Sequence, residues 1–163
     1  MSECGKYLGA LALASFYDVA VDADLSLETP KPFGFSNSKS LTAGITEVDS
    51  TDDATGSVAG AIATGQTLET TVSGFARDDD AVSNGNSLYL KNWYHTKLNA
   101  GEQPKLWVEY ETPGETILVW CLMTGYSMSG GSKELQTLEA TFKAVDTCDA
   151  AIDAIQYTTP PAA

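Results

Sequence analysis

The chain has 163 residues, 43% of them hydrophobic and 19% charged, and its 22 acidic and 9 basic residues give a formal net charge of −13. A chain of this length makes one domain that buries roughly two-thirds of its unfolded surface, and its apolar content excludes a disordered polymer. The acid excess excludes a protein that grips nucleic acid, which needs clustered Lys and Arg to neutralise phosphates, and it disfavours adhesion to anionic membranes.

Lys6 precedes an apolar run over residues 7–17 in which Ala12-Leu13-Ala14 imitates a signal-cleavage site. Glu3 offsets Lys6, so the basic region that a secretory signal needs is weak. No run is long enough to make a transmembrane helix. Residues 19–27 place Val19, Val21, Ala23, Leu25 and Leu27 on alternate positions, which predicts a half-buried strand ended by Pro30, Pro32 and Gly34. A second strand is expected over 39–48, then a Ser/Thr/Asp/Gly-rich loop over 49–65. The next strand, 66–76, alternates Leu68, Thr70 and Val72 with Glu69, Thr71 and Ser73.

One segment reads as helix. Asn86 or Ser87 suits the N-cap, residues 88–98 carry an apolar face of Leu90, Trp93, Tyr94 and Leu98, and Asn99-Ala100-Gly101 ends it. It should cap a sheet or a barrel opening. Three strands follow in hairpin order, 106–111, 116–128 and 134–145. Pro113-Gly114 suits a type II turn, and Gly130-Gly131 suits a tight turn with positive φ. In the last strand Leu138, Ala140, Phe142 and Ala144 share one face, and Thr137, Glu139, Thr141 and Lys143 share the other. Residues from 147 onward read as a short extension with a disordered end. The whole is one mainly β domain, 1–163, with an N-terminal strand or arm over 1–30, a core over 34–147 and an extension over 148–163.

Chemistry is scarce in this sequence. The run Ile45-Thr-Glu-Val-Asp-Ser-Thr-Asp-Asp-Ala-Thr-Gly56 has the composition of a calcium loop, but Asp49, Asp52 and Asp53 are not on alternate positions, and no distal Glu follows Gly56. A solvated loop whose side chains bond backbone amides fits better. Asp78-Asp79-Asp80 cannot aim three carboxylates at one site from an extended chain and reads as the approach to the helix. His95 has no evident Ser, Cys or Asp partner. Cys4, Cys121 and Cys148 are odd in number and far apart, which supports neither a disulfide framework nor a zinc site. No phosphate loop, dinucleotide fingerprint or nucleophile elbow is present. Trp93, Trp107 and Trp120 could line a sugar site, but each falls where an apolar face needs bulk. No catalytic residue, cofactor or metal is expected.

The order of parts nevertheless resembles that of the tail tube (major tail) proteins of long-tailed bacteriophages. Residues 34–51 look like the family's first long strand and the loop after it, and 64–80 are similar to its returning strand and the acidic run before its helix. Residues 105–145 resemble its closing strands, with Gly125-Tyr-Ser-Met-Ser-Gly-Gly131 at their bend. The resemblance implies a β-sandwich or split barrel with one flanking helix. Six copies would form a ring, rings would stack into a tube, and the tube would hold the tape measure protein and conduct genomic DNA without binding it. Its partners would be itself, the tape measure protein, the tail terminator and baseplate or tail-tip proteins, with no membrane. The protein would be made in the host cytoplasm and reside in the virion tail. The wall of the tube would draw on the acidic and hydroxyl face Glu69, Thr71, Ser73, Glu109, Glu111, Thr137, Glu139 and Thr141, and a negative lumen would let DNA slide. Asp49, Ser50, Thr51, Asp52, Asp53 and Thr55 would form an inter-ring contact loop.

Two other readings share parts of this pattern. One is the tube of a contractile tail, bacteriocin or type VI-like secretion system. The other, of a different class, is a secreted β-sandwich adhesin or carbohydrate-binding module, suggested by the signal-like run and the three Trp residues. Deleting residues 50–55 is expected to leave a folded monomer by circular dichroism and to impair tube growth in the electron microscope, and normal tubes would count against an inter-ring loop.

Overall fold

Alternation of apolar and polar residues carries much of this chain into strands. The computed structural model describes residues 13–33, 36–49, 61–76, 87–132, 134 and 136–158. In chain order the elements are β1 (Leu13–Tyr17), a 3-10 turn (Leu25–Leu27), β2 (Lys31–Pro32), β3 (Ser36–Asp49), β4 (Ala61–Phe75), α1 (Ser87–Asn99), β5 (Lys105–Thr112), β6 (Glu115–Ser129), β7 (Thr137–Ala144) and β8 (Ile155–Thr158). All strand pairs are antiparallel, in the order β2-β1-β5-β6-β7-β4-β3, with β8 also on β6.

Strand β6 belongs to two wings of this sheet. Its first half, Glu115 to Leu122, pairs with β5, and Thr116 to Val119 pair with β8 on the opposite edge. From Cys121 to Ser129 the edge that held β8 pairs with β7 instead. One wing is therefore β2-β1-β5-β6-β8 and the other is β6-β7-β4-β3. They close on a common core of Phe16, Leu106, Val108, Val119 and Met123 with Leu68, Val72, Leu138 and Phe142. Phe33 bridges them, with its ring centroid 4.9 Å from Phe16 and 5.4 Å from Phe142. This is the mainly β, split-barrel architecture that the sequence implies, with α1 flanking it through Leu90, Tyr89, Trp93 and Tyr94.

Helix α1 ends as its sequence dictates. Gly101 adopts φ 74°, its N–H donates to the Leu98 carbonyl at 3.0 Å, and the Glu102 N–H donates to the Lys97 carbonyl at 2.9 Å. These are the two bonds of a Schellman cap, which needs a residue without a Cβ in the left-handed region.

Several sequence expectations change. Residues 19–27 are not a strand. The N–H groups of Ala23, Leu27 and Glu28 bond to the Ala20, Asp24 and Leu25 carbonyls, and the Asp24 side chain caps Ser26 N–H. Local bonds thus satisfy the backbone, although Val19, Val21 and Leu25 still pack inward against Tyr17, Trp107 and Trp120. The early strand is β1, in the second half of the signal-like run, and Phe16 is fully buried there. β4 begins at Ala61 rather than at residue 66, so residues 61–65 belong to a strand. The C-terminal extension carries a strand, β8, bonded to β6, and the end that the sequence reads as disordered, residues 159–163, lies outside the described residues. Leu98 leaves the apolar face of α1 and is 47% exposed.

The turns also differ from their expected types. Gly114, Gly130 and Gly131 lie outside the left-handed region. At the β5–β6 turn the Thr112 hydroxyl accepts from Glu115 N–H at 3.2 Å and donates to the Glu115 carbonyl at 3.1 Å, holding the turn without positive φ. Gly130 is needed for space: a Cβ there would stand 3.0 Å from the Gln136 Cα. Replacing Phe142 by Ala is expected to cost about 3–5 kcal/mol through the cavity it leaves, whereas Leu98→Ala should cost well under 1 kcal/mol. Urea unfolding of both variants checks this difference.

Candidate functional site

Residues paired directly across an antiparallel sheet point to the same face, so the register shows which side chains gather. Thr42, Glu69 and Lys143 form one row. Ser40, Thr71, Thr141 and Gly125 form the next, and Ser38, Ser73, Glu139 and Ser127 a third. Phe75, Thr137 and Ser129 close the series. The opposite face carries Leu68, Thr70, Val72, Leu138, Ala140 and Phe142, all buried. Thus β6, β7, β4 and β3 present a hydroxyl-rich face four strands wide.

Six of the eight face residues named from the sequence meet here: Glu69, Thr71, Ser73, Thr137, Glu139 and Thr141. Glu109 and Glu111 do not. They lie on β5 in the other wing, opposite Ser15 and Leu13 of β1. The Tyr17 hydroxyl donates to Glu109 Oε2 at 3.4 Å, and burial first, then the Glu109 carboxylate, raise the Tyr17 pKa. Sequence reasoning missed Ser38, Ser40 and Thr42 of β3 and Ser127 and Ser129 of β6. In β3 the signal was present, because these hydroxyls alternate with Lys39, Leu41 and Ala43. Hydroxyl bonds stiffen the face: Ser129 Oγ lies 2.8 Å from Thr137 Oγ1, and Thr124 Oγ1 donates to the Thr141 carbonyl at 3.1 Å.

The hairpin of β3 and β4 overhangs this face. β4 pairs with β7 only from Glu69 to Phe75, while its pairing with β3 continues to Ala61. Ile45, on the overhang, is 57% exposed. Among the described residues the outer edge of β3 has no strand partner, and neither has the edge of β6 opposite β7 over residues 125–129. Of the loop named from the sequence, Asp49 is the last residue of β3, and Ser50, Thr51, Asp52, Asp53 and Thr55 lie outside the described residues. Asp78, Asp79, Asp80, Asn86 and Cys4 lie outside them too.

One charged cluster fixes α1 to the wing that holds β1 and β2. Lys31 Nζ donates to Asp18 Oδ1 at 2.6 Å, the Tyr89 hydroxyl donates to Asp18 Oδ2, and the ammonium stands 5.2 Å from the Tyr89 ring centroid. Burial pushes the Asp18 carboxyl up, but the Lys31 and Tyr89 hydrogen bonds outweigh it and hold its pKa below the ordinary value. Burial lowers Lys31, and the bond to Asp18 more than reverses that. Burial and the Asp18 bond both raise Tyr89.

Among the described residues no group of three or more His, Cys, Asp or Glu side chains could hold a metal ion, and no helix is long and apolar enough to cross a membrane. Cys121 is buried and Cys148 exposed, both as free thiols, and burial pushes the Cys121 thiol up to about 12. His95 meets Tyr126, its Nε2 lying 2.7 Å from the phenol oxygen at an exposed position. Trp107 and Trp120 pack against each other with centroids 5.3 Å apart in a buried cluster, which removes them as sugar platforms.

No protein-family model matches the sequence, and no curated protein matches it significantly. The fold is shared with solved structures. A chain in the tail of an empty gene transfer agent particle, determined with C6 symmetry, matches with TM-score 0.63 at 12% identity, covering 94% of this chain and 100% of that one. A chain of the SPP1 tail tube matches with TM-score 0.61 at 11% identity, covering 94% of this chain and 80% of that one. A chain in the six-fold symmetrised baseplate of the anti-feeding prophage matches with TM-score 0.62 at 10% identity, covering 99% and 100%. The split barrel with one helix is thus a fold found in tail tubes and baseplates of phage-like particles.

The Asp18 cluster gives this fold a pH signature. A lowered carboxylate pKa adds stability that is present above the unfolded value and lost as pH falls below about 4. The raised Lys31 adds stability that is present at neutral pH and lost as strong alkali deprotonates it. Asp18→Asn is expected to lower stability at pH 7 by roughly 1–2 kcal/mol, a figure reduced for partial solvent exposure, and to flatten the decline between pH 5 and 3. Thermal unfolding across pH checks both.

Proposed function

We propose that this protein is the structural subunit of a phage-like tail tube, in which copies form six-membered rings that stack into a hollow conduit. The observation that carries this reading is the second wing. It is four strands wide, has a polar face and a core face, and is unpaired at both edges among the described residues. Long unpaired edges are an aggregation hazard in a monomer, and pairing them with a neighbour removes it.

Strand direction supports closure. The four strands alternate, so β3 runs antiparallel to β6 within one copy. Rotation about a ring axis preserves each strand's direction along that axis. The β3 edge of one copy can then join the free β6 edge of the next as another antiparallel pair, a head-to-tail contact that closes when the rotation closes. The C6 symmetry of the gene transfer agent tail favours six copies, each giving four strands to one barrel. Its outside is covered by the core and the other wing, so the hydroxyl face turns to the lumen, where it would meet the tape measure protein and then DNA. The overhanging β3–β4 hairpin reaches toward the next ring in this reading, which gives Asp49, Ser50, Thr51, Asp52, Asp53 and Thr55 the inter-ring contact. Tail terminator and baseplate or tail-tip proteins would finish the two ends, and assembly in a host cytoplasm would deliver the protein to the virion. A tube subunit of a contractile tail, bacteriocin or type VI-like secretion system is the second reading, and the likeness to a chain in the anti-feeding prophage baseplate supports a place for this fold beside a baseplate.

Negative-stain microscopy of the purified protein, alone and with tail-initiator complexes, is expected to show six-fold rings or tubes. Cysteines placed at Ser38 or Ser40 together with Ser127 or Ser129, in a background lacking Cys148, should form a ladder of disulfide-linked oligomers up to six. Strictly monomeric protein and no ladder from any pairing would overturn the reading.

A further inference from the structure

The hydroxyl face is less acidic than the net charge of −13 suggests. Its four rows hold three charged side chains: Glu69, Glu139 and Lys143. Glu69 and Lys143 are direct cross-strand partners, a spacing of roughly 4.5–5.5 Å between Cβ atoms, so their charges largely cancel toward anything passing above. Glu139 has no such neighbour. Its direct partners are Ser73 and Ser127, and a shallow cleft of about 260 Å³ around it is lined by Asn37, Ser73, Gly74, Ser127, Ser129, Thr137 and Leu138. None of these neighbours is charged, and five of them carry a hydrogen-bonding side chain.

We propose that Glu139 is the residue that determines how this wall treats a polyanion, while the Glu69–Lys143 pair is electrically silent and the surrounding hydroxyls hold a neutral water layer. The inference rests on the tube reading, in which six copies place Glu139 in a single ring of negative charge. Hydroxyls that bond water and each other offer phosphates little, because phosphate affinity comes mainly from releasing counterions to Lys and Arg. One carboxylate ring then supplies the repulsion that keeps a nucleic acid from settling on the wall. The other acidic side chains among the described residues lie off these four rows, and salt screens exposed charges beyond about 10 Å.

Assembled tubes of wild type, Glu139→Gln and the double variant Glu69→Gln/Lys143→Gln test this. The readout is equilibrium uptake of a short fluorescent single-stranded oligonucleotide, against a neutral dextran of equal hydrodynamic size. At low salt wild-type tubes are expected to take up less oligonucleotide than dextran, with the difference closing as salt is added. Glu139→Gln should raise low-salt uptake by about twofold or more, and the double variant should match wild type. Ser127→Asp, which sets a second carboxylate opposite Glu139, should lower uptake further and serves if Glu139→Gln fails to assemble. Uptake that ignores both position 139 and position 127, or a double variant that moves it as much as Glu139→Gln, would overturn the role of Glu139 while leaving the tube intact. A wild-type chain that forms no tubes would instead overturn the tube reading and this inference with it.

Discussion

Strand β6 is shared by two wings, and the rest of the structure depends on how it changes partners. Ile117, Val119, Cys121 and Met123 form one apolar row on its inner face and all enter the same core. At Cys121 and Leu122 the strand is bonded to β5 on one side and β7 on the other, and beyond Met123 it keeps only β7. Losing β5 frees the far half of β6 to follow the second wing. A single row of buried side chains therefore belongs to both wings, so neither can fold without the core it shares with the other.

The two wings treat the opposite face differently. On the first wing that face carries Trp107 and Trp120, covered by Val19, Val21 and Leu25 from the segment after β1 and by Val145, Ile152 and Ala154 from the segment before β8. The Trp107 indole N–H is buried there with no hydrogen-bond partner among the described residues. On the second wing the same face is mostly Ser, Thr, Glu and Lys, with Phe75 at its end, and stays open to water. This division gives the molecule a closed outer body and a bare polar wall. It is what makes the wall available in the proposed tube, with the wing that carries it held from behind by the core.

Much of the fold was legible because burial follows period-2 alternation wherever a strand is regular. Leu68, Thr70 and Val72 face inward in β4, and Leu138, Ala140 and Phe142 do so in β7, as their spacing implies. Alternation misled over residues 19–27, where successive turns alternate burial as a strand would while their N–H groups bond locally. It also fails as a count along β6. The bulge between Met123 and Gly125 inserts Thr124, so odd-numbered residues face the core before it and even-numbered ones, Tyr126 and Met128, face it afterwards. A similar shift between Thr46 and Glu47 interrupts β3. The hydroxyls of β6 were hidden for this reason, since no local pattern announces one extra residue in a ladder.

By itself, the sequence determined that the chain is mainly β, that a helix spans roughly residues 87–98 and is ended by Gly101, and which faces of β4 and β7 are apolar. These follow from short-range causes: side-chain alternation, a glycine cap, and hydroxyl or apolar character at each position. Only the tertiary structure decided that Glu69, Thr71, Ser73, Thr137, Glu139 and Thr141 share a surface with Ser38, Ser40 and Ser127, that Glu109 and Glu111 lie on another wing, and that Glu69 faces Lys143 and Glu139 does not. Those facts depend on register between strands far apart in the chain. Register is set by the whole core closing at once, and a slip of one residue would have turned the polar wall inward.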